Sequence, residues 1–271
     1  MGVAIDDLDG NNLLDLFVTN FQDESNTLYL QDAPGLFTDA TKKAGLQAVS
    51  IPYTGWGTQT LDADLDGLPD LIVANGHVDD GRVVGRDYHQ RPQFFQNRGG
   101  RFQELASADV GPWFGELHLG RGLARVDWNL DGLPDFIVSL MNAPLAVMKN
   151  TSVGTGHFLR VQLRATETAR DAIGATVTIE FDGKTVTRQL LAGDGYMASN
   201  ERVVEFGLGS SANVDTIRID WPSGATSTAM PQTVDSTFIV VEGTDTGTVV
   251  EQSGVSSIRV TTRKPGSEGA E

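Results

Sequence analysis

A nine-residue acidic pattern occurs three times in this chain, and each copy leads directly into an apolar, β-branched segment. The copies span residues 7–15, 62–70 and 127–135, and oxygen-bearing side chains stand at their first, third, fifth and ninth positions. The segments that follow cover residues 16–20, 71–75 and 136–139. Recurrence of one local unit is typical of solenoids and propellers, in which each unit needs its neighbours to bury an apolar face.

The remainder of each repeat indicates more strands. Short apolar runs follow at 27–30, 93–96 and 145–148, with further runs at 36–40 and 101–105. Glycine-rich segments at 55–57 and 120–122 precede the later acidic loops, and residues 76–91, which include His77 and His89, read as a long connection. Short β-prone runs separated by turn residues predict antiparallel sheets, one for each repeat.

The acidic pattern has the chemistry of a calcium loop, because Ca²⁺ takes six to eight oxygen ligands. Alternate positions of a tight turn point to one centre, and the carbonyl of position seven is expected to face it. Gly67 and Gly132 at position six allow a positive φ, and Asn12 tolerates one better than most residues. The predicted ligands are Asp7, Asp9, Asn11, Leu13 and Asp15; Asp62, Asp64, Asp66, Leu68 and Asp70; and Asp127, Asn129, Asp131, Leu133 and Asp135.

Two other structures share features with this loop, the EF-hand and the ordinary polar turn. An EF-hand begins with the same residues, but it needs a glutamate at position twelve and flanking helices. Position twelve is Val18, Val73 or Val138 here, and strand-forming residues follow. Ordinary polar hairpin turns also favour Asp, Asn and Gly. Three copies with one alternation favour metal binding, since several carboxylates in one turn repel one another without a cation.

Composition narrows the function classes further. The formal net charge of −16 disfavours nucleic acid and anionic lipid as partners. Without cysteine, disulfides, thiolate zinc sites and cysteine nucleophiles are excluded. No apolar run is long enough for membrane insertion, and the first residues do not read as a signal peptide. They resemble a strand entering a loop, so the chain is expected to be the C-terminal part of a longer protein.

The repeats resemble FG-GAP repeats, also called VCBS repeats, which form the blades of the integrin α-subunit propeller. The later part of the chain resembles the ASPIC/UnbV domain. The strings that carry this second resemblance are 170–175 (RDAIGA), 193–196 (GDGY), 206–209 (FGLG), 214–215 (VD) and 221–224 (WPSG). The combination is similar to the cartilage acidic protein family and its bacterial relatives. The chain departs from the family pattern at Ala169, Asn200 and Glu205, where Asn, Gln and His are usual.

The resemblance and the strand pattern together predict an all-β fold. A partial β-propeller of about three FG-GAP blades is expected over 1–152, followed by a small ASPIC/UnbV-like β-sandwich over 153–243. Residues 244–271 read as a flexible polar tail with one weak strand at 257–262. Because the family's propellers close with about seven blades, N-terminal blades are expected to complete this one.

The resemblance implies an extracellular, cell-surface or periplasmic protein in which Ca²⁺ is structural and the propeller binds a protein or glycan. No hydrolase motif surrounds His77, His89, His118 or His157, so no catalytic or organic-cofactor site is predicted. Two alternatives stay open: a Ca²⁺-dependent enzyme acting on polysaccharides, and a purely structural module of a surface assembly. Arg170-Asp171 is a candidate site, but a structural ion pair or turn cap is favoured.

Overall fold

Strands dominate the computed structural model, which describes residues 1–80, 85, 87–230, 233–251 and 254–263. The chain divides into two compact units. The first comprises residues 1–63, 68–152 and 193–201, and the second comprises residues 64–67, 153–192 and 202–271. None of the helices among the described residues has the length and apolar character needed to cross a bilayer.

The first unit contains three small antiparallel sheets, each with its strands in chain order. The strands of the first sheet are β1 (Val3–Asp6), β2 (Asp15–Val18), β3 (Thr27–Ala33) and β4 (Leu36–Asp39). Those of the second are β5 (Gly55–Leu61), β6 (Asp70–Asn75), β7 (Gln93–Asn97) and β8 (Phe102–Glu104). The third has β9 (Gly120–Val126), β10 (Asp135–Leu140) and β11 (Ala146–Met148). This succession of meanders confirms the predicted propeller blades.

The blades stack face to face, and β6 shows how. Its six residues are all buried, with alternate side chains serving different cores. Leu71 and Val73 join a cluster with Phe17 and other side chains of the first blade. Ile72 joins a separate cluster with Phe136 and other side chains of the third blade. Because successive strand residues point to opposite faces, the middle sheet is sandwiched between its neighbours, as in a propeller.

The described part of the connections contains three short helical segments: α1 (Gln47–Ser50), α2 (Ser107–Val110) and a 3₁₀ turn over Pro112–Gly115. The predicted long connection lies between β6 and β7, and its residues 81–84 and 86 fall outside the described part of the chain.

The second unit is built on one nine-stranded sheet in the order β14-β13-β16-β17-β20-β19-β18-β12-β15. Among the strands that the structure describes, only β12 and β18 pair in parallel. The strands are β12 (His157–Arg164), β13 (Thr176–Phe181), β14 (Lys184–Gln189), β15 (Val204–Gly209), β16 (Thr216–Asp220), β17 (Thr226–Ala229), β18 (Ser236–Val241), β19 (Thr246–Glu251) and β20 (Gly254–Arg263).

The nine-stranded sheet curls around a single apolar core. Val161 of β12 and Val177 of β13 belong to one cluster of buried side chains, although five strands separate β12 from β13 in the sheet. The all-β class is therefore confirmed, and the expected sandwich takes the form of one continuous curled sheet. A hairpin turn at Asp182-Gly183 joins β13 to β14, with positive φ at both residues.

The predicted flexible tail is wrong for residues 246–251 and 254–256, which form β19 and the start of β20 within this sheet, whereas the weak strand predicted at 257–262 lies within β20. Their threonine content reads as polar, but Val249 and Val260 are buried in the core, so the pattern is that of half-buried strands. Residues 264–271 of the predicted tail lie outside the described residues. The main change from the first unit to the second falls between residues 152 and 153, where the division was predicted, but residues 193–201 belong to the first unit and residues 64–67 to the second.

Candidate calcium loops

Each acidic loop connects the first two strands of a blade. The turn that reverses the chain needs left-handed backbone at two places, positions four and six. Position six was predicted, and its φ values are 65° at Asn12, 93° at Gly67 and 85° at Gly132. Position four was missed, since two of its three residues are leucines. The φ values at position four are 82° at Gly10, 59° at Leu65 and 59° at Leu130. Leucine in this region is strained, so the loop imposes a conformation that its sequence does not favour.

The first carboxylate of the loop accepts backbone N–H groups from inside the turn. Asp7 Oδ2 accepts from the Asn12 N–H at 2.7 Å, and Asp7 Oδ1 accepts from the Asn11 N–H at 3.0 Å. The third loop repeats the contact, with the Gly132 N–H donating to Asp127 Oδ2 at 2.9 Å. These bonds fold the turn around its first side chain and hold the backbone of positions five and six beside it.

The carboxylate at position nine closes the loop from the other end. Asp15, Asp70 and Asp135 are almost completely buried. In each, Oδ2 accepts the N–H of position two, at 2.7, 3.3 and 3.3 Å. In each, Oδ1 accepts a backbone N–H from the third strand of the blade or from just after it. The donors are Gln31 in β3 at 2.8 Å, Asn97 in β7 at 2.8 Å and Asn150, two residues after β11, at 2.6 Å. Position nine therefore has a structural role in the hairpin in addition to its predicted role as a ligand.

Two asparagines, the buried Asn97 and the partly buried Asn150, connect successive loops. The Asn97 Nδ2 group donates to the carbonyls of Leu8 and Pro69, both at 3.0 Å, and so joins the first loop to the end of the second. Asn150 Nδ2 donates to the Ala63 carbonyl at 2.9 Å, joining the third blade to the second loop. Sequence reasoning missed both residues. The signal available was an asparagine two residues after the last apolar residue of the run, Phe95 in β7 and Met148 in β11.

Two loops gather three carboxylates each. In each trio one oxygen per residue lies within 4.8 Å of the others, and the trios are Asp7, Asp9 and Asp15, and Asp62, Asp64 and Asp66. Two like charges at this distance repel by about 1 kcal/mol in water and by about 3 kcal/mol at an effective dielectric constant near 20. Burial, reinforced by the neighbouring carboxylates, raises the pKa of Asp15 to about 6. A cation removes this repulsion, and hard oxygen donors on a tight turn suit Ca²⁺.

The third loop balances its charge differently. Lys149 Nζ lies 3.3 Å from Asp131 Oδ2, and Asn129 Nδ2 donates to the same oxygen at 2.6 Å. Although burial opposes it, hydrogen bonds from Asn129, Leu133 and Lys149 lower the pKa of Asp131. Asn129 Oδ1 is buried without a hydrogen-bond partner. An unsatisfied oxygen fits a cation, whereas a lysine ammonium beside Asp131 competes with one, so this loop is the weakest of the three candidates.

The ligands predicted through their backbone carbonyls stay predictions. Leu13 donates its N–H to Asn11 Oδ1 at 2.7 Å, and Leu133 donates its N–H to Asp131 Oδ1 at 3.1 Å. Both bonds place position seven on the same turn as the side-chain ligands. Leu68 occupies the corresponding place in the second loop.

The other candidates have structural contacts. Asp171 forms an ion pair with Arg202 at 3.9 Å and is half exposed, so it contributes little. His77 is buried, and its Nδ1 contacts the backbone of Asp79. Trp221 is buried, and its indole N–H donates to Ser227 Oγ at 2.8 Å, which is a structural contact.

Comparison with protein families gives two matches. The family described as FG-GAP-like repeat matches residues 7–73, which include the first two loops. The family described as ASPIC and UnbV matches residues 165–247. A comparison with curated proteins found no match. The matches confirm the combination predicted from the sequence, and they indicate a binding module of the extracellular type.

Proposed function

We propose that this chain, in which FG-GAP-like repeats precede an ASPIC and UnbV domain, is an extracellular binding module stiffened by Ca²⁺. The observation that carries the proposal is the pair of carboxylate trios in loops 62–70 and 7–15. Each trio would hold one ion, with the side-chain oxygens as ligands and the carbonyls of Leu13 and Leu68 completing the shell. Ca²⁺ would supply charge neutralisation and a rigid turn, with no chemical step.

The effect on stability follows from where the loops lie. Each loop joins the first two strands of its blade, and its position-nine aspartate also holds the third strand through a backbone N–H. An ion that fixes the loop therefore restrains three strands at once. Because a ligand that binds only the folded state stabilises it, Ca²⁺ at about 100 times its Kd should add about 2.7 kcal/mol.

Thermal unfolding with and without Ca²⁺ tests the proposal. For a chain of this size, the gain corresponds to a rise in Tm of about 5–10 °C for each occupied class of site. Asp9→Ala and Asp64→Ala should each reduce the rise, because each removes one carboxylate from a trio. Glu167→Ala, which removes an exposed carboxylate outside the loops, is the matched control and should leave the rise unchanged. Equal Tm values with Ca²⁺ and with chelator would refute the structural role.

The partner proposed for the module is a protein or a glycan bound on blade loops. Capture of one defined partner from a surface extract only when Ca²⁺ is present would favour a binding role. A module that is purely structural would capture nothing specific in either condition, while still showing the rise in Tm.

We propose a binding role in preference to catalysis, because the best-clustered carboxylates are those that would hold metal. Polysaccharide breakdown by the purified chain, abolished by alanine substitution of an acid outside the loops, would overturn this preference. Breakdown that persists in such variants would indicate a contaminating activity.

A further inference from the structure

Residues 193–201 lie in the first unit, although they fall inside the stretch matched to the ASPIC and UnbV family. Their contacts are with the first strand of each blade: β1, β5 and β9. β5 and β9 are neighbours, because an added side chain at Gly57 of β5 would meet the backbone and side chain of Leu123 in β9 at 2.7 and 2.8 Å. β1 and β5 are also neighbours, since the Thr60 hydroxyl of β5 donates to Asp6 Oδ2 of β1 at 2.9 Å. One short segment therefore contacts the first strands of three successive blades, β1, β5 and β9, which are termed the inner strands.

The segment pairs with the edge of β1 through its backbone. The Val3 N–H donates to the Gly195 carbonyl at 3.2 Å, and the Gly195 N–H donates back to the Val3 carbonyl at 2.5 Å. Gly195 has a φ of 76°, and a side chain there would lie 2.6 Å from Gln59 Nε2 and 2.8 Å from the Thr58 carbonyl. The surface thus selects glycine at this position on both conformational and steric grounds.

The side-chain amide of Asn200 makes hydrogen bonds through both its nitrogen and its oxygen. Its Nδ2 donates to Gln59 Oε1 at 2.7 Å and to Asp194 Oδ1 at 2.6 Å, and its Oδ1 accepts the Arg125 N–H at 2.8 Å. The Arg125 carbonyl accepts the Glu201 N–H at 3.1 Å. Gln59 is completely buried on an inner strand, so leaving its amide without these partners would be costly.

An aromatic contact also holds the segment against β5. The ring of Tyr196 lies 5.0 Å from that of Trp56, and the Arg121 guanidinium lies over the Trp56 ring at 4.5 Å. Trp56 is fixed in turn, because its Nε1 donates to the Gly76 carbonyl at 2.7 Å. Aromatic pairs of this spacing add to the free energy of apolar burial, and a stacked arginine adds more.

We propose that the inner strands β1, β5 and β9 form a peptide-binding site and that segment 193–201 is its internal ligand. The site recognises a turn peptide with glycine at the strand bridge, an aromatic residue after it and a carboxamide five residues after that glycine. Because the segment is tethered, its effective concentration is of millimolar order, and it withholds the site from free peptides. A partner of the module must therefore bind elsewhere or displace this segment.

Binding in trans tests the proposal. In a full-length variant, residues 193–201 are replaced by nine Gly and Ser residues, and a labelled peptide of residues 191–203 is titrated by fluorescence anisotropy. The variant should bind the peptide, and the intact chain should bind it at least tenfold more weakly. Asn200→Ala in the peptide should weaken binding at least tenfold. Met197→Ala, at a residue that is 88% exposed, should leave it unchanged.

A linker variant that unfolds cooperatively, yet binds no peptide at about 1 mM, an effective concentration typical of a short tether, would overturn the proposal. Equal binding of the Asn200→Ala and Met197→Ala peptides would also overturn it. If the linker variant does not fold, hydrogen exchange in the intact chain decides. Asn200→Ala should speed exchange of the Val3 and Arg125 amides at least tenfold relative to Met197→Ala, and equal protection would refute the docking role.

Discussion

Replacing Lys149 should convert the third loop from a poor calcium site into a better one. Its ammonium lies 3.3 Å from Asp131 Oδ2. A Ca²⁺ ion bound to that oxygen would stand about 2.4 Å from it, and so within about 6 Å of the ammonium. At about 5 Å in a water-like dielectric, charges of +2 and +1 repel by about 1.7 kcal/mol.

The lysine side chain is half exposed and can swing away from the ion. Doing so gives up the ion pair with Asp131, about 0.2–1 kcal/mol, and at about 8 Å a repulsion of about 1 kcal/mol still remains. The net penalty on Ca²⁺ binding is therefore about 1–2 kcal/mol. Lys149→Met should strengthen binding at this loop about 5- to 30-fold. Lys149→Arg, which keeps the charge, is the matched control and should leave the affinity nearly unchanged.

Trp128 offers an assay specific to the third loop, because it occupies position two and is 55% exposed. Terbium takes oxygen ligands as Ca²⁺ does and luminesces when a nearby indole is excited, so Ca²⁺ affinity can be read by displacement. Trp128→Leu should abolish the signal. An affinity within twofold of wild type for Lys149→Met, or an equal gain for Lys149→Arg, would refute the electrostatic reasoning.

Three further predictions concern the loops. With Ca²⁺ chelated, the free energy of unfolding should fall by up to about 3 kcal/mol as pH rises from about 4 to 6, because the raised pKa of Asp15 makes the native state bind a proton that the unfolded state releases. Denaturant unfolding of wild type against Asp15→Asn measures this fall, and saturating Ca²⁺ should remove the pH dependence. Gly132→Ala, at a φ of 85°, should cost about 1–2 kcal/mol by the same assay, while Ala63→Gly serves as a control without left-handed strain. Asn97→Ala should cost about 1–3 kcal/mol, because the carbonyls it joins lose their donor, and an unchanged midpoint would show that the tie between loops is dispensable.

The sequence predicted the blades and the acidic loops well because both depend on local pattern. The strands around Leu28, Phe94 and Val147 formed where short apolar runs predicted them, and Gly67 has the positive φ that a tight turn demands. Neighbouring carboxylates on one turn are likewise a local feature, so the trios could be anticipated from spacing alone.

Features that depend on contacts between distant residues could not be predicted in this way. Asn97 reaches Leu8 across 89 positions, and Asn200 reaches Gln59 across 141. The strand at 246–251 was missed because its threonines read as polar, although Val249 is buried in the core. Leu130 at a left-handed position gives no local signal, since the fold imposes that conformation on an unfavourable residue.

Calorimetric titration of the chelator-stripped chain with Ca²⁺ tests the central claim most directly. The two carboxylate trios predict two ions bound in the affinity range of extracellular calcium modules, with a weaker third event at the loop paired to Lys149. Asp9→Ala and Asp64→Ala should each remove one of the two stronger events. Absence of binding up to about 10 mM Ca²⁺, well above the affinities typical of such modules, would contradict the account and leave the loops as ordinary polar turns.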